Sequence, residues 1–314
     1  MKVTTDSLGI VNLPDFFIVG APKSGTTSLH YYLQGHPQVF MPEKKEPWFF
    51  SFMNNHPSFN SPDKFPGIID NIDEYAQLYR AASPRQTCGD ASPSYLYTHE
   101  TSIKNFRRIY QDTEQYDQLK FIISLRNPID RAWSQYWTFN RKNADTAMFQ
   151  DAVHPDTIKK RLEDNWQPFY DYIGFGMYHD QVKAYQDEFG KDRVKIFLFD
   201  DLKNDAGRIC KEIFLFLGVD PDYLPDTNRI YNPSGKPKSE LLKNLIISPN
   251  FLKRVLKKMI PKPRRQQLKH MAARKLMTKV EMPVAARTIL KRQFEPEIHR
   301  LSRLLDLDLG HWLA

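Results

Sequence analysis

The chain has 314 residues, 41% of them hydrophobic and 13% aromatic, which is enough apolar material for one large core and excludes a disordered chain. Its two cysteines, Cys88 and Cys210, share no CxxC or zinc spacing; this excludes a disulfide scaffold or a Cys/His metal site and fits two reduced thiols. The formal net charge of +8 favours anionic partners, no apolar run approaches the ~20 residues of a membrane span, and the first residues lack the apolar core of a signal peptide, so a soluble, cytoplasmic protein is expected.

In chain order, DFFIVG (15–20) is a short apolar run rich in β-formers and reads as a buried parallel strand. TTSLHYYLQ then places Leu29, Tyr32 and Leu33 at helical spacing, and GHP (35–37) stops the helix. QVFMP (38–42) is a second extended piece, IDEYAQLYRAA (72–82) a helix, and QTCGDASPSY (86–95) a short extended segment. A helix over HETSIKNFRRIYQ (99–111) precedes the clearest strand, LKFIISL (119–125). NPIDRAWSQYWTFNR (127–141) follows as a helix with Pro128 in its first turn. Segment 143–174 is irregular and partly helical; MYHDQVKAYQDEF (177–189) is a helix, RVKIFLF (193–199) a strand, and 200–219 a single helix. Beyond about 238 the chain reads as helices broken by Pro261, Pro263 and Pro283. Recurrent alternation predicts an α/β fold of three layers, a central parallel sheet flanked by helices. One domain over 1–314 is expected, with a core at about 14–240 and a basic helical extension at 241–314.

The loop after the first strand reads Gly20-Ala-Pro-Lys-Ser-Gly25-Thr26-Thr27. A Walker loop, G-x-x-x-x-G-K-[ST], has the same glycine spacing, but here Thr26 stands where the lysine belongs and Lys23 lies inside the loop. The anion-binding physics survives: backbone N–H groups of the turn open onto a helix N-terminus, with hydroxyls from Ser24, Thr26, Thr27 and Ser28 and a point charge from Lys23. The bland alternative is an ordinary strand-to-helix turn with a surface lysine.

PKSGTTSL resembles the 5′-phosphosulfate loop of sulfotransferases that use 3′-phosphoadenosine 5′-phosphosulfate (PAPS). That family also has a strand, an arginine at its tip and a serine eight residues later on the next helix; KFIISLRNPIDRAWSQY supplies Arg126 and Ser134. The resemblance implies that both hold the donor's 3′-phosphate, where an arginine can fork two N–H bonds onto one group. Read alone, Arg126 is more readily an ion-pair partner of Asp130. Arg131 and Trp133 are expected to pack. NPSGKPKS (232–239) is similar to the loop that closes over the nucleotide and offers Ser234, Gly235, Lys236 and Lys238; as residues alone they make an ordinary solvated loop.

Sulfuryl transfer needs an in-line acceptor, a base for its proton and a cation at the leaving oxygen. MPEKKEPWFF (41–50) resembles the K-E-P-h-F-F segment of heparan-sulfate-type and related bacterial sulfotransferases, which implies Glu46 as general base. Lys44 and Lys45 would keep it ionised. As a residue type alone, Glu46 is a surface charge. CGDASPSYLY (88–97) is similar to G-E-K-S-P-S-Y but has Asp90 for glutamate and Ala91 for a lysine that contacts substrate in several relatives. Asp90 is the second candidate base and His99 a distant third. Trp48 stands where many relatives have histidine; Trp48, Ala91 and 143–174 are expected to shape the acceptor pocket.

The resemblance thus implies transfer from PAPS to a hydroxyl, less readily an amine, of a carbohydrate, lipid or small molecule, releasing adenosine 3′,5′-bisphosphate (PAP) with no metal required. FLFDD (197–201) has acidic residues, but a helix start explains them. The competing readings are a P-loop kinase, which would want a lysine after Gly25, and a non-catalytic protein that binds polyanions or membranes. Residues 252–279 contain no acidic residue, and Leu252, Val255, Leu256, Met259 and Ile260 form a helical stripe opposite lysines. A surface helix, a site for an anionic glycan and peripheral contact with acidic lipids all fit that stretch. Nucleic acid is not expected, because no nucleic-acid module accompanies the charge.

Overall fold

The computed structural model describes residues 2–5, 9–65, 67–227, 236–237, 277–278 and 280–314. Strands β1 (Lys2–Thr5) and β2 (Gly9–Asn12) pair antiparallel ahead of the core. The core then runs β3 (Phe16–Gly20), α1 (Thr26–Gln34), β4 (Val39–Phe40), α2 (Phe49–Phe52), α3 (Ile72–Gln77), β5 (Thr87–Ala91), α4 (Ser94–Tyr97), α5 (His99–Tyr110), β6 (Lys120–Leu125) and α6 (Pro128–Asn140). It continues through α7 (Phe149–Ala152), α8 (Pro155–Glu163), α9 (Tyr178–Phe189), β7 (Val194–Leu198), α10 (Phe199–Asn204) and α11 (Ala206–Leu217) to the terminal helix α12 (Val284–Leu305).

The central sheet has the order β4-β5-β3-β6-β7, with every pair parallel. All five residues of β3 are buried, which is why its sequence reads as a continuous apolar run rather than an alternation. Phe17 and Val19 enter the core beneath α2, α5, α6 and α9, whereas Phe16 and Ile18 enter a second core beneath α1 and α11. That is the three-layer α/β arrangement the alternation of elements predicts. The order reverses around β3: the chain leaves it toward β4 and β5 and returns on the far side as β6. The carboxyl ends of β5, β3 and β6 therefore lie side by side at the topological switch point, the place where open α/β sheets bind ligands.

Several local expectations change. The helix expected over 200–219 is two, because Asp205 leaves helical geometry (φ −145, ψ 80) and caps α11 by accepting the Arg208 N–H at 2.9 Å. The 72–82 helix shortens to α3, closed by turns. After β5 the chain enters α4 instead of staying extended. Met277–Thr278 pair as a strand with Lys236–Pro237, not as helix. Pro283 precedes α12 and Pro296 lies inside it. Cys88 and Cys210 are buried free thiols, each pushed up to about 12 by burial. Among the described residues, no helix is long and apolar enough to cross a membrane.

Candidate active site

The loop between β3 and α1 is shaped by two left-handed residues, Lys23 (φ 69) and Gly25 (φ 82). Gly25 is required twice over. Its backbone angle disfavours a side chain, and a Cβ there would lie 2.8 Å from Leu202 and 3.0 Å from Phe199, both of α10. Lys23 has no such exemption, so its conformation is held against a cost of about 1–3 kcal/mol. The tip of β6 supplies the hold. Ala21 N–H donates to the Ser124 carbonyl at 2.8 Å, and the Ser124 hydroxyl donates to the Ser24 carbonyl at 2.6 Å. Arg126 Nη1 donates to the Lys23 carbonyl at 3.1 Å, across 103 residues of sequence. The two segments that the sequence reading assigns to opposite ends of one ligand are thus hydrogen-bonded to each other.

Arg126 is half-buried, lies over the Phe199 ring at 5.2 Å, and is pulled below the usual arginine value by burial. The Tyr178 hydroxyl, at the start of α9, donates to the Arg126 carbonyl at 3.0 Å and sits against the Ser24 hydroxyl. Asp130, the expected ion-pair partner of Arg126, pairs instead with Arg287 at 3.1 Å. Ser134 is half-buried on α6, about two turns past the Asn127 cap. In the loop, Ser24 and Thr26 are buried while Thr27 and Ser28 are partly exposed. Arg131, expected to pack, is fully buried and donates to Gln135 and to the Tyr172 carbonyl.

Lys23 is lowered to about 8, first by burial and then by the cations Arg141, Arg126 and Lys142, with Glu46 acting in the opposite sense. This gathers Lys23, Arg126 and Glu46 into one electrostatic neighbourhood. It also adds Arg141 and Lys142, which follow the last turn of α6. Neither stands out in the sequence, because a basic pair after a helix is an ordinary C-terminal feature. A buried lysine whose protonation is depressed by the cations around it is a donor that an anionic group would relieve, so the residues fit a phosphorylated ligand.

Glu46 follows β4 on a turn with two more left-handed residues, Glu46 itself (φ 59) and Trp48 (φ 64). Its N–H donates to the Ala91 carbonyl at 3.2 Å, which ties the turn to the end of β5. Lys45 pairs with its carboxylate. Trp48 does not line an open pocket: it is 2% exposed and packs on Phe65 and Phe169, each with ring centroids 5.1 Å away. Asp90 is fully buried and accepts hydrogen bonds from the Tyr75, Tyr95 and Ser92 hydroxyls, all at 2.8 Å. Burial pushes it up to about 6 against those bonds. With three donors already on it, Asp90 is a structural hub and not a base open to substrate. His99 is half-buried as the first residue of α5.

Asp200 and Asp201 occupy the first turn of α10, as a helix start requires. Ser234, Gly235 and Lys238 lie outside the described residues, and Lys236 is described only as backbone in its strand pair; the stripe at 252–260 also lies outside them.

A family model described as the sulfotransferase domain matches residues 13–232. A membrane-associated sulfotransferase, kil1, of Dictyostelium discoideum is 32% identical over 124 residues, covering 40% of this chain and 22% of that protein. Human heparan sulfate glucosamine 3-O-sulfotransferase 3B1 is 25% identical over 215 residues, covering 67% of this chain and 47% of that one. The chain therefore spans less than half the length of these curated relatives. Among solved structures, a sulfotransferase from Alicyclobacillus acidocaldarius superposes with a TM-score of 0.73 at 29% identity, covering 97% of this chain and 100% of that one.

Proposed function

The chain belongs to the sulfotransferase family, and from that premise we propose that it transfers the sulfuryl group of PAPS to a hydroxyl, releasing PAP. The observation that carries this reading is the bond from Arg126 to the Lys23 carbonyl, which sets a strand-tip arginine beside a phosphate loop. A donor with phosphate at both ends uses both; ATP has nothing for the first.

In this reading PAPS supplies the sulfuryl group when bound. The backbone of Ser24 to Ser28, at the N-terminus of α1, faces its 5′ end with N–H groups. Arg126 and Ser134 hold the 3′-phosphate, and Phe199 keeps the guanidinium plane from turning away. Lys23 would hold its ammonium toward the donor's leaving oxygen, where negative charge develops as the sulfur–oxygen bond breaks and the acceptor oxygen bonds to sulfur. Glu46 takes the acceptor proton. The bond of its N–H to Ala91 and the packing of Trp48 support this role by holding the turn in one conformation.

The acceptor is a carbohydrate hydroxyl by analogy with the heparan sulfate relative, although Ala91 supplies no lysine to bind it. The test is a mass-spectrometric screen of PAPS against sugars, lipids and phenols. An 80-Da gain on one acceptor class, with matching PAP, is expected. Donor consumption that no acceptor increases would leave the transfer reading without support.

A further inference from the structure

Asp130 stands in the first turn of α6, four residues after Arg126, where an aspartate would ordinarily capture that guanidinium. The structure gives it another partner. Arg287, on α12, donates from Nη2 to Asp130 Oδ1 at 3.1 Å, and its Nη1 donates to the Ala314 carbonyl at 3.4 Å. Asp130 is still the strongest charged neighbour acting on Arg126, ahead of Asp200. Asn127, between them in sequence, donates to the Trp312 carbonyl at 2.8 Å, so the C-terminal segment grips the entrance of α6 at two points. All of these C-terminal partners lie beyond the residues matched by the family domain.

We propose that Arg287 is a positioning residue of the donor site: by pairing with Asp130 it keeps that carboxylate off Arg126 and screens it from an incoming 3′-phosphate, leaving the Arg126 fork for the ligand. The proposal rests on the donor reading above. Arg287 touches no reacting atom. It acts by neutralising a charge next to the residue that does the binding. The pair is partly exposed, with side chains 38% and 41% accessible, so the effect is modest and salt-sensitive.

The experiment is a calorimetric titration with PAP and with adenosine 5′-monophosphate (AMP), at low salt, on four proteins: wild type, Arg287→Ala, Asp130→Asn and the double variant. Arg287→Ala is expected to weaken PAP by about three- to fivefold and leave AMP unchanged. Removing the Asp130 charge in the double variant should restore PAP affinity to within about twofold of wild type. Asp130→Asn alone, which removes no packing, should bind PAP as tightly as wild type or more tightly. Three outcomes overturn the proposal: no loss in Arg287→Ala, a double variant as weak as Arg287→Ala, or Asp130→Asn weaker than wild type. A wild type that binds PAP no better than AMP would instead overturn the donor reading.

Discussion

The two walls of the proposed site, one for the donor and one for the base, are held in place by different means. On the donor wall, the loop from Ala21 to Gly25 is tied to the tip of β6 by three hydrogen bonds, two of them from Ser124 and Arg126 side chains to loop carbonyls. On the base wall, Glu46 is tied to β5 by one backbone bond, and the rest of its turn is held by burial. Trp48 packs on Phe65 and Phe169, and the N–H of Phe50 reaches the Tyr95 hydroxyl, itself bound to Asp90. Both walls keep non-glycine residues in the left-handed region, Lys23 on one and Glu46 and Trp48 on the other. The comparison teaches that similar backbone strain can be stabilised by hydrogen bonds from a neighbouring strand tip to loop carbonyls or by aromatic packing in the core. The two walls should therefore fail separately.

The largest separation is expected at the base. Glu46→Gln should slow turnover by roughly two to four orders of magnitude while PAP binds as in wild type. Parallel losses in turnover and donor affinity, measured by steady-state kinetics and titration, would break the division. Asp90→Ala removes three hydroxyl partners from a buried site and should cost about 2–4 kcal/mol in denaturant unfolding. Its remaining folded fraction should bind PAP normally but turn over slowly, because Ala91 and Tyr95 no longer fix the Glu46 turn. Gly25→Ala is the donor-side counterpart. Its positive φ and the nearby Leu202 and Phe199 predict a loss of about 1–3 kcal/mol with weakened PAP binding.

The smallest effect is a pH dependence. Lys23 sits near 8 in the free protein, and a bound anion must raise it. Below pH 8 the ammonium is already present, so PAP affinity should be flat through neutrality. Above pH 8 binding must take up a proton, and affinity should fall by at most about tenfold per pH unit. A flat profile from pH 7 to 9.5 would show that Lys23 does not meet the ligand's charge.

The same contrast explains what the sequence reveals. The proposed donor wall is legible because its loop is written in consecutive residues: a buried strand, Gly20, Lys23, Gly25 and hydroxyls before a helix. Arg126 is legible as the residue that ends the clearest strand. The base wall is written in contacts between distant residues. Nothing local indicates that Trp48 is buried against Phe169, that Asp90 is saturated by two tyrosines and a serine, or that Arg287 takes Asp130 from Arg126. Arg141 and Lys142 are missed because only the fold brings the end of α6 to Lys23. Asp205 breaks the 200–219 helix by capping its second half, a choice that periodicity alone does not separate from a helical aspartate.

The central claim is that the donor wall reads a 3′-phosphate. Its most direct test is the melting temperature of the wild-type protein with matched concentrations of PAP and ADP, without magnesium. A much larger rise with PAP is the expected result. Equal rises would contradict the account, since Arg126 and Ser134 would then have no phosphate of their own to hold.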